Sequence, residues 1–198
     1  MYVRAAVLVS YHLRPHNQAL ANIHTSGVNV LVYYSSTVLS LATGQANPSH
    51  NTVLLFTMGF GIINFVFALP AFYTIDTLGR RSLLLMTFPF LALFQAITAI
   101  GVALPHTGSS GGRLAIAGMY LFGIFYSPGE GPVPFVYAAE SMPLYIREVG
   151  MGCVTSVNWF FNWLIAFTAP EFFQAFNYYG AFAWYAIWCF LLWVLIFL

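Results

Sequence analysis

The sequence predicts an all-α integral membrane protein with six transmembrane helices. Three observations carry that prediction. Of the 198 residues, 60% are hydrophobic and only 6% are charged, whereas a soluble domain carries about 25% charged residues. The apolar residues gather into stretches long enough to cross a bilayer, which takes about 20 residues as a helix. Of the charged residues, only Glu130 falls within these stretches. Lipid offers the backbone no hydrogen-bond partner, so spanning segments satisfy themselves as helices rather than as open strands.

Residues 1–24 hold an apolar run too short to span and read as a divergent cytoplasmic or interfacial lead-in; a signal peptide would need a small-residue cleavage site that does not follow cleanly. Residues 25–198 read as one bundle, with spans at roughly 25–43, 53–73, 83–104, 114–138, 150–170 and 181–198. The first span carries Asn29 and Tyr33, four apart on one helix face, with Tyr34 beside them. The second holds Asn64 near its middle. The third is singled out by no motif of its own. The fourth holds Tyr126 and then SPGEGPVPFVYAAE, which packs Pro128, Gly129, Gly131, Pro132 and Pro134 close to Glu130 and Glu140. The fifth places Asn158 and Asn162 on one face, with Trp159 and Trp163 one step round. The sixth runs to Leu198. The expected connections are TGQANPSHN, TIDTLGRRS, PHTGSSGGR, ESMPLYIREVG and EFFQAFNYYG.

Charge gives the orientation and excludes whole classes of function. The six cations are all arginine, at 4, 14, 80, 81, 113 and 147. All but Arg113 precede or join spans in a way that puts them on one side. Excess positive charge marks the cytoplasmic side, so both termini and the loops holding Arg80 and Arg147 are expected there. A net charge of +1 gives no hold on a nucleic acid. Cys153 and Cys189 lie in apolar stretches and read as small buried hydrophobes. No Cys/His cluster has metal-ligand spacing, and neither a His-Glu-x-x-His run nor a Gly-x-Ser-x-Gly elbow appears. With no nucleophile and base together, an enzyme is not expected.

Polar groups inside a membrane are costly and mark function or helix contact. Amides donate and accept, and indole rings stack on the C–H face of a sugar. The asparagines of spans one, two and five, with Tyr126, therefore suggest a central polar pocket; interhelical hydrogen bonds are the competing account. The glycines and prolines of span four interrupt its hydrogen bonding. Such breaks survive where protein or a water-filled cavity re-satisfies the backbone, and they recur at transporter sites and hinges. A static kink is the alternative.

The motifs as they stand resemble the C-terminal half of a sugar porter of the major facilitator superfamily, most similar to fungal hexose-type transporters. SGVNVLVYYSS (26–36), NFVFALPAFYTIDTLGRRSLLL (64–85), GPVPFVYAAESMPLYIR (131–147) and NWFFN (158–162) look like that family's seventh, eighth, tenth and eleventh helices, in order. The resemblance implies that Asn29, Asn64, Asn158 and Asn162 hydrogen-bond sugar hydroxyls, with Tyr33, Tyr126, Phe135 and Trp159 as aromatic neighbours of the solute. It implies an outer gate at Tyr33 and Tyr34, and a cytoplasmic salt-bridge cluster of Asp76, Arg80, Arg81, Glu140 and Arg147. Ile23 and His24 stand where the family usually carries a Gln-Gln pair, and Ser127 where many relatives have a glutamate. Glu130 falls off the sugar-contact position; it is expected to bond backbone donors freed at the kink, or to be protonated there. The expected activity is transport of a monosaccharide-like solute by alternating access, in the plasma membrane, without a cofactor and with proton coupling left open. A polyol, inositol or quinate carrier is the alternative within that class, and a truncated, non-transporting fragment or sensor the alternative outside it. The expected partners are the solute, the lipid bilayer and the missing N-terminal half.

Overall fold

Proline, glycine and one asparagine punctuate the helices of this chain. A computed structural model describes residues 27–33, 50–104 and 109–197. Among the described residues the chain is all-helical, in seven helices: α1 (Val28–Tyr33), α2 (His50–Ala68), α3 (Ala71–Leu78), α4 (Arg80–Ala103), α5 (Ser109–Tyr126), α6 (Val133–Glu140) and α7 (Arg147–Phe197). Three helical stretches are long and apolar enough to cross a membrane: Asn51–Ala68, Arg80–Ala103 and Arg147–Phe197.

Each boundary has a local cause. Pro70 cannot donate a backbone hydrogen bond, and α2 gives way to α3 across Leu69 and Pro70 through short contacts such as Leu69 N–H to Val66 O at 3.3 Å. Gly79 separates α3 from α4 with φ 81° and ψ 155°, a conformation open to glycine and strained for other residues. Pro128 and Pro132 flank the turn that parts α5 from α6.

As one rod of 51 residues, α7 would be about 76 Å long, more than twice a bilayer core. It is not one rod. Asn177 has φ 57° and ψ 165°, and the arms on either side fold back on each other. The rings of Phe172 and Tyr185 lie 6.2 Å apart, and those of Phe173 and Phe182 6.4 Å apart. Residues that far apart along a continuous helix would be about 14–20 Å apart.

Contacts give the relative directions. Trp193 donates to Leu85 O, and Arg81 to the carbonyls of Ile196 and Phe197, so α4 runs antiparallel to the second arm of α7. Gly101 abuts Ala115 while Gly118 abuts Thr98, so α4 and α5 are antiparallel too. By contrast α2 and α5 run parallel, with Phe56 on Tyr120, Phe60 on Gly123 and Asn64 on Ser127. The main core joins these elements around Leu31, Phe60, Leu91, Phe122, Phe182 and Cys189. Lipid tails are as apolar as leucine, so such a core holds by close packing rather than by water exclusion.

Two expected connections are helical instead. TIDTLGRRS lies in α3 and the start of α4, interrupted at Gly79 alone, and EFFQAFNYYG stays helical except at Asn177. Polar residues end a span only where the backbone loses its hydrogen bonds, and one residue suffices for a sharp turn. Tyr34 and the lead-in 1–24 lie outside the described residues, as do Ile23 and His24; of Tyr33 only the backbone is described.

Candidate functional site

The parallel pair α2–α3 and α5–α6 carries most of the residues singled out above. Both members are interrupted, and the interruptions stand side by side: Asn64 meets Ser127 just before them, while Ala71 and Ile75 share a cluster with Val133 just after. In the break after α5, prolines at 128, 132 and 134 withdraw the donors that a continuous helix would aim at the carbonyls of 124, 128 and 130. Part of the ladder is kept: Glu130 N–H and Gly131 N–H both reach Tyr126 O, at 3.1 and 3.2 Å, and Val133 N–H reaches Gly129 O at 3.3 Å. Gly129 is pressed against the Thr87 side chain of α4, where a Cβ would collide.

The break buries polar groups. Ser127 is 2% exposed and Glu130 fully buried. Ser127 contacts the Asn64 carboxamide and the Gly123 carbonyl. The Glu130 carboxylate lies within electrostatic reach of Tyr126 and Cys189. Tyr126 is half-buried and stacks on Phe122 at 5.9 Å. Phe135, also half-buried, packs with Met151 on a small cluster of Ala138, Met142 and Val154.

At the far end of these interrupted helices, Arg80 gathers three partners. Its Nη2 donates to Glu140 Oε1 at 2.5 Å and to Asp76 Oδ1 at 3.3 Å, and its Nη1 reaches Ile75 O at 3.4 Å. Glu140 ends α6, where the helix dipole disfavours a carboxylate, and the guanidinium offsets that. The other two arginines expected in this cluster bond carbonyls among the described residues. Arg81 donates to Ile196 O and Phe197 O at 3.1 and 2.7 Å, and Arg147 to Met142 O at 3.3 Å. Arg80, Arg81 and Arg147 thus share one end of the bundle, and Arg113 lies in the first turns of α5 at the other.

On the first arm of α7, Asn162 is buried and Asn158 half-buried. Trp159 is 63% exposed and Trp163 59%, so the indoles lie on the open side while Asn162 turns inward. Trp163 instead joins a ladder of rings with Phe160 and Phe167, at 5.9 and 5.8 Å. Asn29, half-buried on α1, sits where α1 packs between the main core and the Ala169–Phe173 cluster of α7. Gln95, which no motif marked, is fully buried in α4, and its amide has no hydrogen-bond partner among the described residues. Its one signal in the sequence is an amide in an otherwise apolar run, LALFQAITAIG.

Comparison with known proteins shows the family. The family described as "Sugar (and other) transporter" matches residues 21–198. The chain is 33% identical over 161 residues to a probable quinate permease of Neosartorya fischeri, covering 77% of this chain and 29% of the relative. It is 30% identical over 169 residues to probable polyol transporter 6 of Arabidopsis thaliana, covering 82% and 33%. It is 30% identical over 171 residues to myo-inositol transporter 2 of Schizosaccharomyces pombe, covering 83% and 29%. The chain therefore spans about a third of the length of the curated relatives it matches. With helices apolar and long enough to cross a membrane and this match over nearly its whole length, the chain belongs to the sugar transporter family of the major facilitator superfamily.

Proposed function

We propose that this chain is the C-terminal six-helix bundle of a membrane transporter that carries a small polyhydroxylated solute by alternating access. Residues 25–198 form the bundle and 1–24 the lead-in to it. The observation that carries the reading is the interrupted parallel pair, joined by Asn64 and Ser127 at the breaks and clamped by Arg80 on Asp76 and Glu140 at one end. Two helices broken at one height can pivot there, and a clamp at the end sets which way they lean. With the clamp closed the cavity faces away from that end; with the Arg80–Glu140 pair parted it opens toward it. The Arg-rich end is cytoplasmic by the positive-inside rule, and the plasma membrane is the compartment.

In this reading Asn29, Asn64, Asn158 and Asn162 bond solute hydroxyls. Tyr126, Phe135, Trp159 and Tyr33 frame the solute with aromatic surface, and Tyr34 stands at the outer gate. Pro128, Gly129, Gly131, Pro132 and Pro134 form the hinge. The partner bundle packs on the open faces of α2 and α7. Named relatives include carriers of quinate, polyol and myo-inositol, and Ile23–His24 replaces the glutamine pair of hexose carriers. Both favour a cyclic polyol or quinate over a hexose.

The test is uptake of labelled glucose, myo-inositol and quinate by yeast lacking its own carriers. The chain is expressed alone and together with the N-terminal part of the fission-yeast relative. Saturable uptake of at least one solute in one arrangement is expected. Membrane-inserted protein without uptake in either arrangement overturns the reading.

A further inference from the structure

Ser127 has a single proton and two oxygen neighbours, one of them on Asn64. Ser127 is buried at the foot of α5, and Asn64 on α2 is half-buried. Ser127 Oγ lies 2.6 Å from Gly123 O and also touches the oxygen end of the Asn64 carboxamide. One turn away Phe60 packs on Gly123, so the helices meet through apolar surface there. A hydroxyl owns one proton and two lone pairs, and a backbone carbonyl can only accept. Gly123 O, 2.6 Å away, can join this contact only by accepting the Ser127 proton, whereas a carboxamide can present either of its ends. The Gly123 contact therefore takes the only proton Ser127 has. What Ser127 then offers Asn64 is a lone pair, and a lone pair calls for an N–H. A half-turn of an asparagine carboxamide exchanges oxygen and nitrogen without changing its shape. Only the form with Nδ2 toward Ser127 satisfies both contacts.

We infer that Ser127 locks the Asn64 carboxamide with its nitrogen inward and its oxygen outward, so that Asn64 meets the solute as an acceptor and selects a hydroxyl that donates. The inference rests on the proposed contact between Asn64 and the solute. Ser127 is a positioning residue: it acts through Asn64. No other partner holds Asn64 among the described residues, so its orientation depends on this one contact. A solute group that only accepts, such as a carboxylate oxygen or an ether, gains nothing at this position. A hydroxyl gains a full hydrogen bond.

The experiment compares monodeoxy and monodeoxyfluoro analogues of whichever panel solute the protein carries, as competitors of its uptake. Fluorine keeps the size of the hydroxyl but has no proton to donate. At one hydroxyl position both analogues are expected to compete about tenfold more weakly than the parent, the loss of one hydrogen bond. Asn64→Ala should erase that difference. Ser127→Ala, which frees the carboxamide to turn, should restore competition by the fluoro analogue, and Ser127→Thr should return the unaltered pattern. The comparison on the unaltered protein needs no substitution to fold. A fluoro analogue that competes as well as the parent at the Asn64-dependent position would show that Asn64 donates, and would overturn this inference alone. Uptake whose hydroxyl preferences are untouched by Asn64→Ala removes the solute contact and the inference with it. Absence of all uptake removes the proposed function as well.

Discussion

Arg80 is the residue on which most contacts at the clamped end converge. Its bonds to Asp76, Glu140 and Ile75 O join three helices through one guanidinium. These groups are partly solvated, and exposed ion pairs add little to stability. Their effect should fall on conformational balance. Glu140→Ala or Arg80→Ala is expected to lower the maximal uptake rate about fivefold or more with normal surface expression. The exchanged pair, Arg80→Glu with Glu140→Arg, should recover much of it. Failure of the exchange to recover any rate would reduce Arg80 to an orientation signal. Asn177 poses the opposite case, a residue held where only glycine is at ease. Asn177→Gly should raise stability by about 1 kcal/mol, the strain released less the entropy glycine costs, read as an increase of about 2–4 °C in the melting temperature. A lower melting temperature would mean that the asparagine side chain holds the turn.

Between helices, glycine decides how closely backbones approach. A Cβ on Gly118 would collide with Thr98 and press on the backbone of α4, and one on Gly101 would meet the backbone of α5. Gly61 of α2 has nothing within 4 Å of that position. Gly118→Val should therefore cost about 1–3 kcal/mol by overpacking, whereas Gly61→Ala should be neutral or gain up to about 1 kcal/mol of helix propensity. Thermal unfolding of the purified protein in detergent separates the two; equal losses would refute the close α4–α5 seam. This is also the scale at which the sequence was most legible. Length and hydropathy give the all-helical class and the three stretches long enough to cross a bilayer, and the prolines after Tyr126 mark a break that the structure has. Pro70 marks a second break, inside the stretch 53–73 that hydropathy gives as one continuous span. TIDTLGRRS has the composition of a loop, yet only Gly79 within it leaves the helix, because polarity at a helix end does not by itself break backbone hydrogen bonds. Long-range partners were the least legible. Nothing local in the sequence says that Arg81 reaches Phe197 rather than a carboxylate, or that Ser127 sits against Asn64. Those pairings depend on register between helices far apart in the chain.

For the molecule as a whole, the hairpin in α7 sets the number of times the chain changes direction. A pair of cysteines replacing Phe172 and Tyr185, with Cys153 and Cys189 exchanged for serine and alanine, should be bridged within one molecule by a short bifunctional thiol reagent, which spans the gap two large rings leave. Controls at 152 and 187 should not. No cross-link at 172 and 185 in folded protein would contradict the fold-back at Asn177. At this scale α4 is the spine: α5 lies along one side of it and the second arm of α7 along another. Gln95 sits fully buried in its middle. During synthesis α4 leaves the ribosome before either neighbour exists. For that interval its amide faces the insertion machinery or acyl chains, an environment that penalises it. The helix that organises the finished bundle thus enters the membrane carrying an amide that is buried only once the segments after it have packed against it.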